Sequence, residues 1–134
     1  MTRYMLDTSV LIDLSKSVGT TRAQVRGWID GGDEVGVCGI QIAEFYRGLA
    51  PSERPVWDTF FAELQYWEIS LEAARRAGTD QYDFDRRGQP IGTSDAIIAA
   101  VARAQSAILV TNNVRDFPMP DVQLLSLRGS PPST

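Results

Sequence analysis

The sequence predicts a three-layer α/β/α sandwich built on a short parallel sheet of about four or five strands. Two observations predict it. Short apolar stretches alternate along the chain with segments whose apolar residues recur at helical spacing, the pattern of strands joined by crossover helices. One stretch, Ala107-Ile108-Leu109-Val110, is apolar without interruption, as a strand covered on both faces requires. The chain has 134 residues, the length of one domain, and shows no internal repeat or interdomain linker. A single domain over residues 1–128 is therefore expected, followed by a frayed, flexible tail over 129–134.

Residues 3–7 form the first predicted strand, which ends on Asp7. Thr8 or Ser9 suits the N-cap of a short helix carrying Val10, Leu11 and Leu14. A second helix over 20–31 gathers Val25, Trp28 and Ile29 on one face and stops at Gly31-Gly32. Val35-Gly36-Val37-Cys38 is a short strand, and Gly39 marks the turn out of it. In a third helix over 40–49, Ile42, Phe45, Tyr46 and Leu49 make the apolar face. Glu44 lies nearly opposite that face, near Gln41 and Gly48. A fourth helix over 53–66 carries a stripe of Val56, Trp57, Phe60, Phe61 and Leu64. Trp67-Glu68-Ile69 reads as a strand, and Ser70 caps a helix from Leu71 to about Phe84. After a loop at Arg86–Pro90, Thr93 or Ser94 caps a helix through about Gln105. Strand 107–110, a polar turn or short helix over 112–116 and a last strand over 122–125 complete the chain.

Composition narrows the chemistry. The chain contains no histidine, which excludes Ser-His-Asp and Cys-His catalysis and histidine-ligated zinc. The lone Cys38 cannot form an intrachain disulfide or a thiolate cage. No apolar run reaches the ~20 residues that span a bilayer, and the N-terminus lacks the features of a signal peptide. A cytoplasmic location, away from membranes, is the expectation. What remains for acid–base and metal work is carboxylate, with 17 acids against 13 cations and a net charge of −4. All but one of the cations (Lys16) are arginine, a bidentate phosphate ligand, although a GC-rich genome explains such a bias equally well.

Four places bring polar oxygen to the expected sheet top. Asp7 ends the first strand, where open α/β sheets bind ligands; taken alone, a helix-capping role explains it. Asp13, one and a half turns on, is expected to point elsewhere into solvent. Glu44 sits about one turn above the same sheet edge, and a solvated helix face explains it alone. Asp95 starts a helix that is apolar from Ala96 through Ala102, so its carboxylate is expected to be partly enclosed and in need of a partner. In the fourth place, after strand 107–110, Thr111, Asn113 and Asp116 can all reach the sheet top. Carboxylates from separate elements without nitrogen or sulfur ligands suit a hard cation, Mg²⁺ or Mn²⁺. One such ion activates a water and neutralises charge at a phosphodiester.

These segments resemble a known family. Leu-Asp7-Thr-Ser-Val-Leu-Ile-Asp, Ala-Glu44-Phe-Tyr-Arg-Gly, Ser-Asp95-Ala-Ile-Ile-Ala-Ala and Thr111-Asn-Asn-Val-Arg-Asp-Phe follow the order and spacing of PIN-domain ribonucleases. The small size is similar to VapC-type toxins of toxin–antitoxin pairs. The resemblance implies a PIN-like fold and a Mg²⁺- or Mn²⁺-dependent endoribonuclease that cuts structured RNA. It assigns catalysis and metal binding to Asp7, Glu44 and Asp95, with Asn113 and Asp116 as competing fourth ligands. It assigns support of the site to Ser9 and Thr111. It also implies a small DNA-binding, VapB-like antitoxin as partner, and a homodimer or a hetero-oligomer with that antitoxin. Trp57, Phe60, Phe61, Tyr66 and Trp67 either line a groove for the antitoxin tail or pack in the core. Arg86, Arg87 and Arg115 are candidate RNA phosphate contacts.

Two other functions compete. A catalytically weak or inactive PIN-like binding module is favoured only by Asn113 standing where relatives often carry an acid. A phosphatase or nucleotide-binding protein is disfavoured, since no glycine-rich phosphate loop follows any strand.

Overall fold

The protein is described as a computed structural model covering residues 1–128; the tail expected over 129–134 lies outside the described residues. Five strands form one parallel sheet: Arg3–Leu6 (β1), Glu34–Val37 (β2), Gln65–Tyr66 (β3), Ile108–Val110 (β4) and Leu124–Leu125 (β5). Their order is β3-β2-β1-β4-β5, with Tyr4 of β1 facing Val35 on one side and Ile108 on the other. The helices are Thr8–Lys16 (α1), Thr21–Asp30 (α2), Gly39–Arg47 (α3), Arg54–Ala62 (α4), Leu71–Arg86 (α5) and Thr93–Ala104 (α6).

Two apolar clusters fill the two sides of the sheet, as the alternating pattern predicts. One joins Met5 and Leu109 to Ala96, Ile98, Ala99, Ala102 and Phe84 beneath α5 and α6. The other joins Leu6, Val35, Val37 and Val110 to Val10, Leu11, Val25 and Phe45 beneath α1, α2 and α3. The chain runs outward in one direction from β1 through β2 to β3, and in the other through β4 to β5. The strand order therefore reverses between β1 and β4, and their C-terminal ends frame the crevice where open α/β sheets bind ligands.

Several boundaries differ from the sequence expectation for physical reasons. Asp7, rather than Thr8 or Ser9, is the N-cap of α1, and Gly92, rather than Thr93 or Ser94, precedes α6. In both cases extended backbone continues one residue less far than the polar residues suggest. Ser70 does cap α5, its hydroxyl oxygen accepting from the Ala73 N–H at 3.0 Å. The fourth helix is shorter than expected, and β3 is Gln65–Tyr66 rather than Trp67–Ile69. Trp67 decides this register. Its ring lies flat against Gly36, where an added Cβ would sit 2.6 Å from the ring, and its N–H donates to the Val37 carbonyl at 2.8 Å. Burying the indole in this way turns the chain out of the sheet after the bond. On the far side, Arg76, Asp80, Arg103 and Asp121 form a closed ring of ion pairs joining α5, α6 and the segment before β5. Among the described residues, no helix is long and apolar enough to cross a membrane.

Candidate active site

Asp7 stands at the C-terminal end of β1 and its backbone N–H bonds the Val110 carbonyl of β4 at 2.9 Å. Its side chain is buried, and its Oδ2 accepts two hydrogen bonds, from Ser9 Oγ at 3.0 Å and Thr111 Oγ1 at 2.8 Å. Each hydroxyl is itself oriented. The Asn112 N–H donates to Ser9 Oγ at 3.1 Å, and the Asn113 N–H donates to Thr111 Oγ1 at 3.0 Å. With a backbone donor on its oxygen, each hydroxyl turns its only hydrogen to Asp7. No hydrogen bond reaches Asp7 Oδ1 from the described residues, so that oxygen is left for a cation or substrate. Ser9 and Thr111 thus both lie against Asp7.

Glu44 lies exposed on α3, and its Oε1 accepts from Thr8 Oγ1 at 2.6 Å. Thr8 escaped the sequence reading because a residue next to Asp7 suggests a cap and not a partner 36 residues away. Gln41 was placed beside Glu44 on the polar face, yet it is fully buried. Its amide donates to the Leu6 carbonyl at 3.2 Å, and its oxygen accepts from the Cys38 N–H at 3.2 Å and the thiol at 3.0 Å. These bonds tie the start of α3 to the end of β1, and so fix Glu44 relative to Asp7.

Asp95 occupies the first turn of α6 and is partly buried. Burial pushes its carboxyl up to about 6, with Asp116, Asp7 and Glu44 adding to the rise in that order. The four acids therefore share one electrostatic neighbourhood, although they come from four separate elements. Asp116 closes a short 3-10 turn at Val114–Asp116 and presses on Asp95 more strongly than Asp7 or Glu44 does. Asn113 contributes its backbone N–H to Thr111, and its side chain is exposed.

The donor set fits a hard divalent cation. It is all oxygen, it is crowded with like charge, and Asp7 keeps one oxygen without a donor. Among the described residues, no three acids already meet at metal-ligand spacing, and Glu44 is engaged by Thr8.

Asp13 departs most from expectation. It is not solvated: its side chain is 1% exposed, and Asn112 and Arg128 both donate to it. Helical spacing carried the signal, because Asp13 lies three residues after the buried Val10 and beside the buried Leu14. The candidate RNA contacts are all exposed, and none forms an ion pair among the described residues. Arg86 lies over the Tyr82 ring at 3.7 Å and Arg87 over Phe84 at 4.7 Å, while Arg115 adjoins Asp116. Beside Glu44, a groove of about 650 Å³ runs past Ile12, Phe45 and Val56 to Trp57. Trp57 and Phe61 pack edge to face on Phe45, and Phe60 packs edge to face on both of them. Tyr66 is 57% exposed, and Trp67 is a core residue on the other face of the sheet.

The model of the PIN domain family matches residues 4–121. Ribonuclease VapC2 of Haemophilus influenzae is 31% identical over 122 residues, which cover 87% of this chain and 91% of that protein. The tRNA(fMet)-specific endonuclease VapC of Shigella flexneri is 28% identical over the same coverage. Among solved structures, DNA-bound VapBC from Salmonella typhimurium superposes with a TM-score of 0.80 at 25% identity, covering 94% of this chain and 98% of that one.

Proposed function

The chain belongs to the PIN-domain family, among its VapC-type ribonucleases, and on that ground we propose that it is a toxin that cleaves RNA with the help of Mg²⁺ or Mn²⁺. Asp7, Glu44, Asp95 and Asp116 would hold the ion. The observation that carries this reading is Asp7, a buried carboxylate at the end of β1 whose Oδ2 is held by Ser9 and Thr111 while no donor among the described residues reaches its Oδ1; burial first, and then Asp116, Asp7 and Glu44, push the Asp95 carboxyl up. Such crowding is unfavourable unless a cation offsets it. Asp116 is the better supported fourth ligand, because its charge adds to the rise of the Asp95 carboxyl. An acid in this position weakens the case for an inactive binding module.

When bound, a divalent ion supplies charge for the scissile phosphate and acidity for the attacking water. The chain's own residues do the rest. Ser9 and Thr111 hold Asp7 Oδ2 and leave Oδ1 without a donor among the described residues. Gln41 fixes the helix that carries Glu44. Asp95, its carboxyl pushed up to about 6, is suited to accept a proton near neutral pH. Arg115 stands next to Asp116 and is suited to a phosphate beside the cut; Arg86 and Arg87 would bind the backbone further out. Hydrolysis of this kind leaves 5′-phosphate and 3′-hydroxyl ends.

Transfer RNA is the first substrate to test, because one relative is named for cutting it. The partner proposed is a small DNA-binding, VapB-like antitoxin, whose tail would lie in the groove between Glu44 and Trp57. A homodimer and a cytoplasmic location complete the reading. Sequencing RNA 5′ ends after induced expression tests it. Discrete new 5′-phosphate ends are expected, and an unchanged profile across transfer, ribosomal and messenger RNA would refute it.

A further inference from the structure

Asp13 is a buried charge away from the proposed metal ligands, and its contacts lead back to them. Its Oδ2 accepts from Asn112 Nδ2 at 2.6 Å and from Arg128 Nε at 2.9 Å, and its Oδ1 accepts from Arg128 Nη2 at 2.6 Å. A buried carboxylate is costly unless its oxygens are taken, and the guanidinium fork takes both. Asn112 depends on this arrangement. Its own Oδ1 is buried with no partner, and its amide nitrogen otherwise reaches only the Ser9 carbonyl at 3.5 Å. The Asn112 side chain is therefore anchored chiefly by Asp13. Its backbone N–H meets Ser9 Oγ, and the next N–H meets Thr111 Oγ1, which are the two hydroxyls that bind Asp7 Oδ2.

We propose that Asp13, clamped by Arg128, is a positioning residue: through Asn112 it sets the Ser9 and Thr111 hydroxyls that orient Asp7. The inference rests on the nuclease reading for its consequence and on the hydrogen-bond chain for its mechanism. Arg128 is more than half exposed, so its truncation opens little core. The loss falls on Asp13, and through it on the loop 111–113. Helix α1 and that loop are 99 residues apart in sequence at the Asn112–Asp13 contact, so the clamp closes the site across the whole chain.

The test compares Arg128→Ala, Arg128→Lys and Asp13→Asn with Arg26→Ala. The last breaks an equally well-formed fork, Arg26 to Glu63 at 2.8 and 3.0 Å, which joins α2 to the residue after α4 and not to this loop. Two quantities are read: amide hydrogen exchange at Asn112 and Asn113 in metal-free protein, and Mn²⁺ affinity by calorimetry. In Arg128→Ala and Asp13→Asn, exchange at both amides should quicken about tenfold and Mn²⁺ affinity should fall about tenfold, the scale of losing an outer partner of a ligand. KM for RNA should hold while kcat falls, and Arg128→Lys should recover part of the loss. Wild-type exchange and affinity in both variants would overturn the proposal, as would equal changes in Arg26→Ala. A wild-type protein that takes up no Mn²⁺ would refute the nuclease reading, and the exchange rates would still decide on the clamp.

Discussion

Asp95 shows how the site's chemistry sits in single residues. Its folded carboxyl titrates near 6, against 3.8 unperturbed, because it is buried among acids. The fold thus favours its protonated form. Its contribution to stability is full below about pH 3.8 and is lost as pH rises through about 6. Asp95→Asn removes that loss. The variant should melt higher than wild type in metal-free buffer at pH 7.5, and the difference should vanish near pH 4, as calorimetric scans at the two pH values would show. Protons and cation compete for the same oxygens, so wild-type Mn²⁺ affinity should fall about tenfold from pH 7 to pH 5. Pairing acts in the opposite sense on Asp13, whose carboxyl is held down by the Arg128 fork. Asp7 was legible because a polar residue ending an apolar run stands out, and Asp95 because it opens a helix that is apolar from Ala96 through Ala102. Asn112 was not, since nothing in a polar turn tells which side chain reaches a helix about a hundred residues earlier.

At the scale of elements, helices and central strands were legible from their periods, and the β3 edge of the sheet was not. β3 comprises two exposed residues, and the bond that sets its register belongs to the next residue, Trp67. A buried tryptophan beside a strand glycine is a pairing of distant positions, invisible to local pattern. Gly36→Ala tests it. The new methyl would meet the indole ring at 2.6 Å, and overpacking of this kind destabilises by about 1–3 kcal/mol. Denaturant unfolding should show a lower midpoint with little change in slope, and an unchanged midpoint would mean that Trp67 does not pin the edge. Burial of Gln41 follows a similar logic. The helical wheel put it on the polar side, but the end of β1 leaves the Leu6 carbonyl to be satisfied, and Gln41 meets it.

For the whole molecule, the puzzle is an acidic protein that binds RNA. Five arginines are neutralised by acids among the described residues: Arg3, Arg26, Arg76, Arg103 and Arg128. Of the other arginines, Arg86, Arg87 and Arg115 are the ones proposed for phosphate, so Arg86→Ala with Arg87→Ala should raise KM for RNA and flatten its salt dependence while leaving Mn²⁺ affinity intact. The groove that opens beside Glu44 makes a separate prediction about the partner. Val56 is 70% exposed there, and Val56→Glu should weaken binding of the proposed VapB-like antitoxin at least tenfold while RNA cleavage persists. The central claim, that carboxylates from four elements hold one catalytic cation, is tested most directly by cleavage of transfer RNA with added Mg²⁺ or Mn²⁺. Wild type should cut and EDTA should stop it. Asp7→Asn and Asp95→Asn should lose about a thousandfold in rate, the equivalent of several kcal/mol, with their circular dichroism unchanged. Metal-independent cleavage retained by both variants would contradict it.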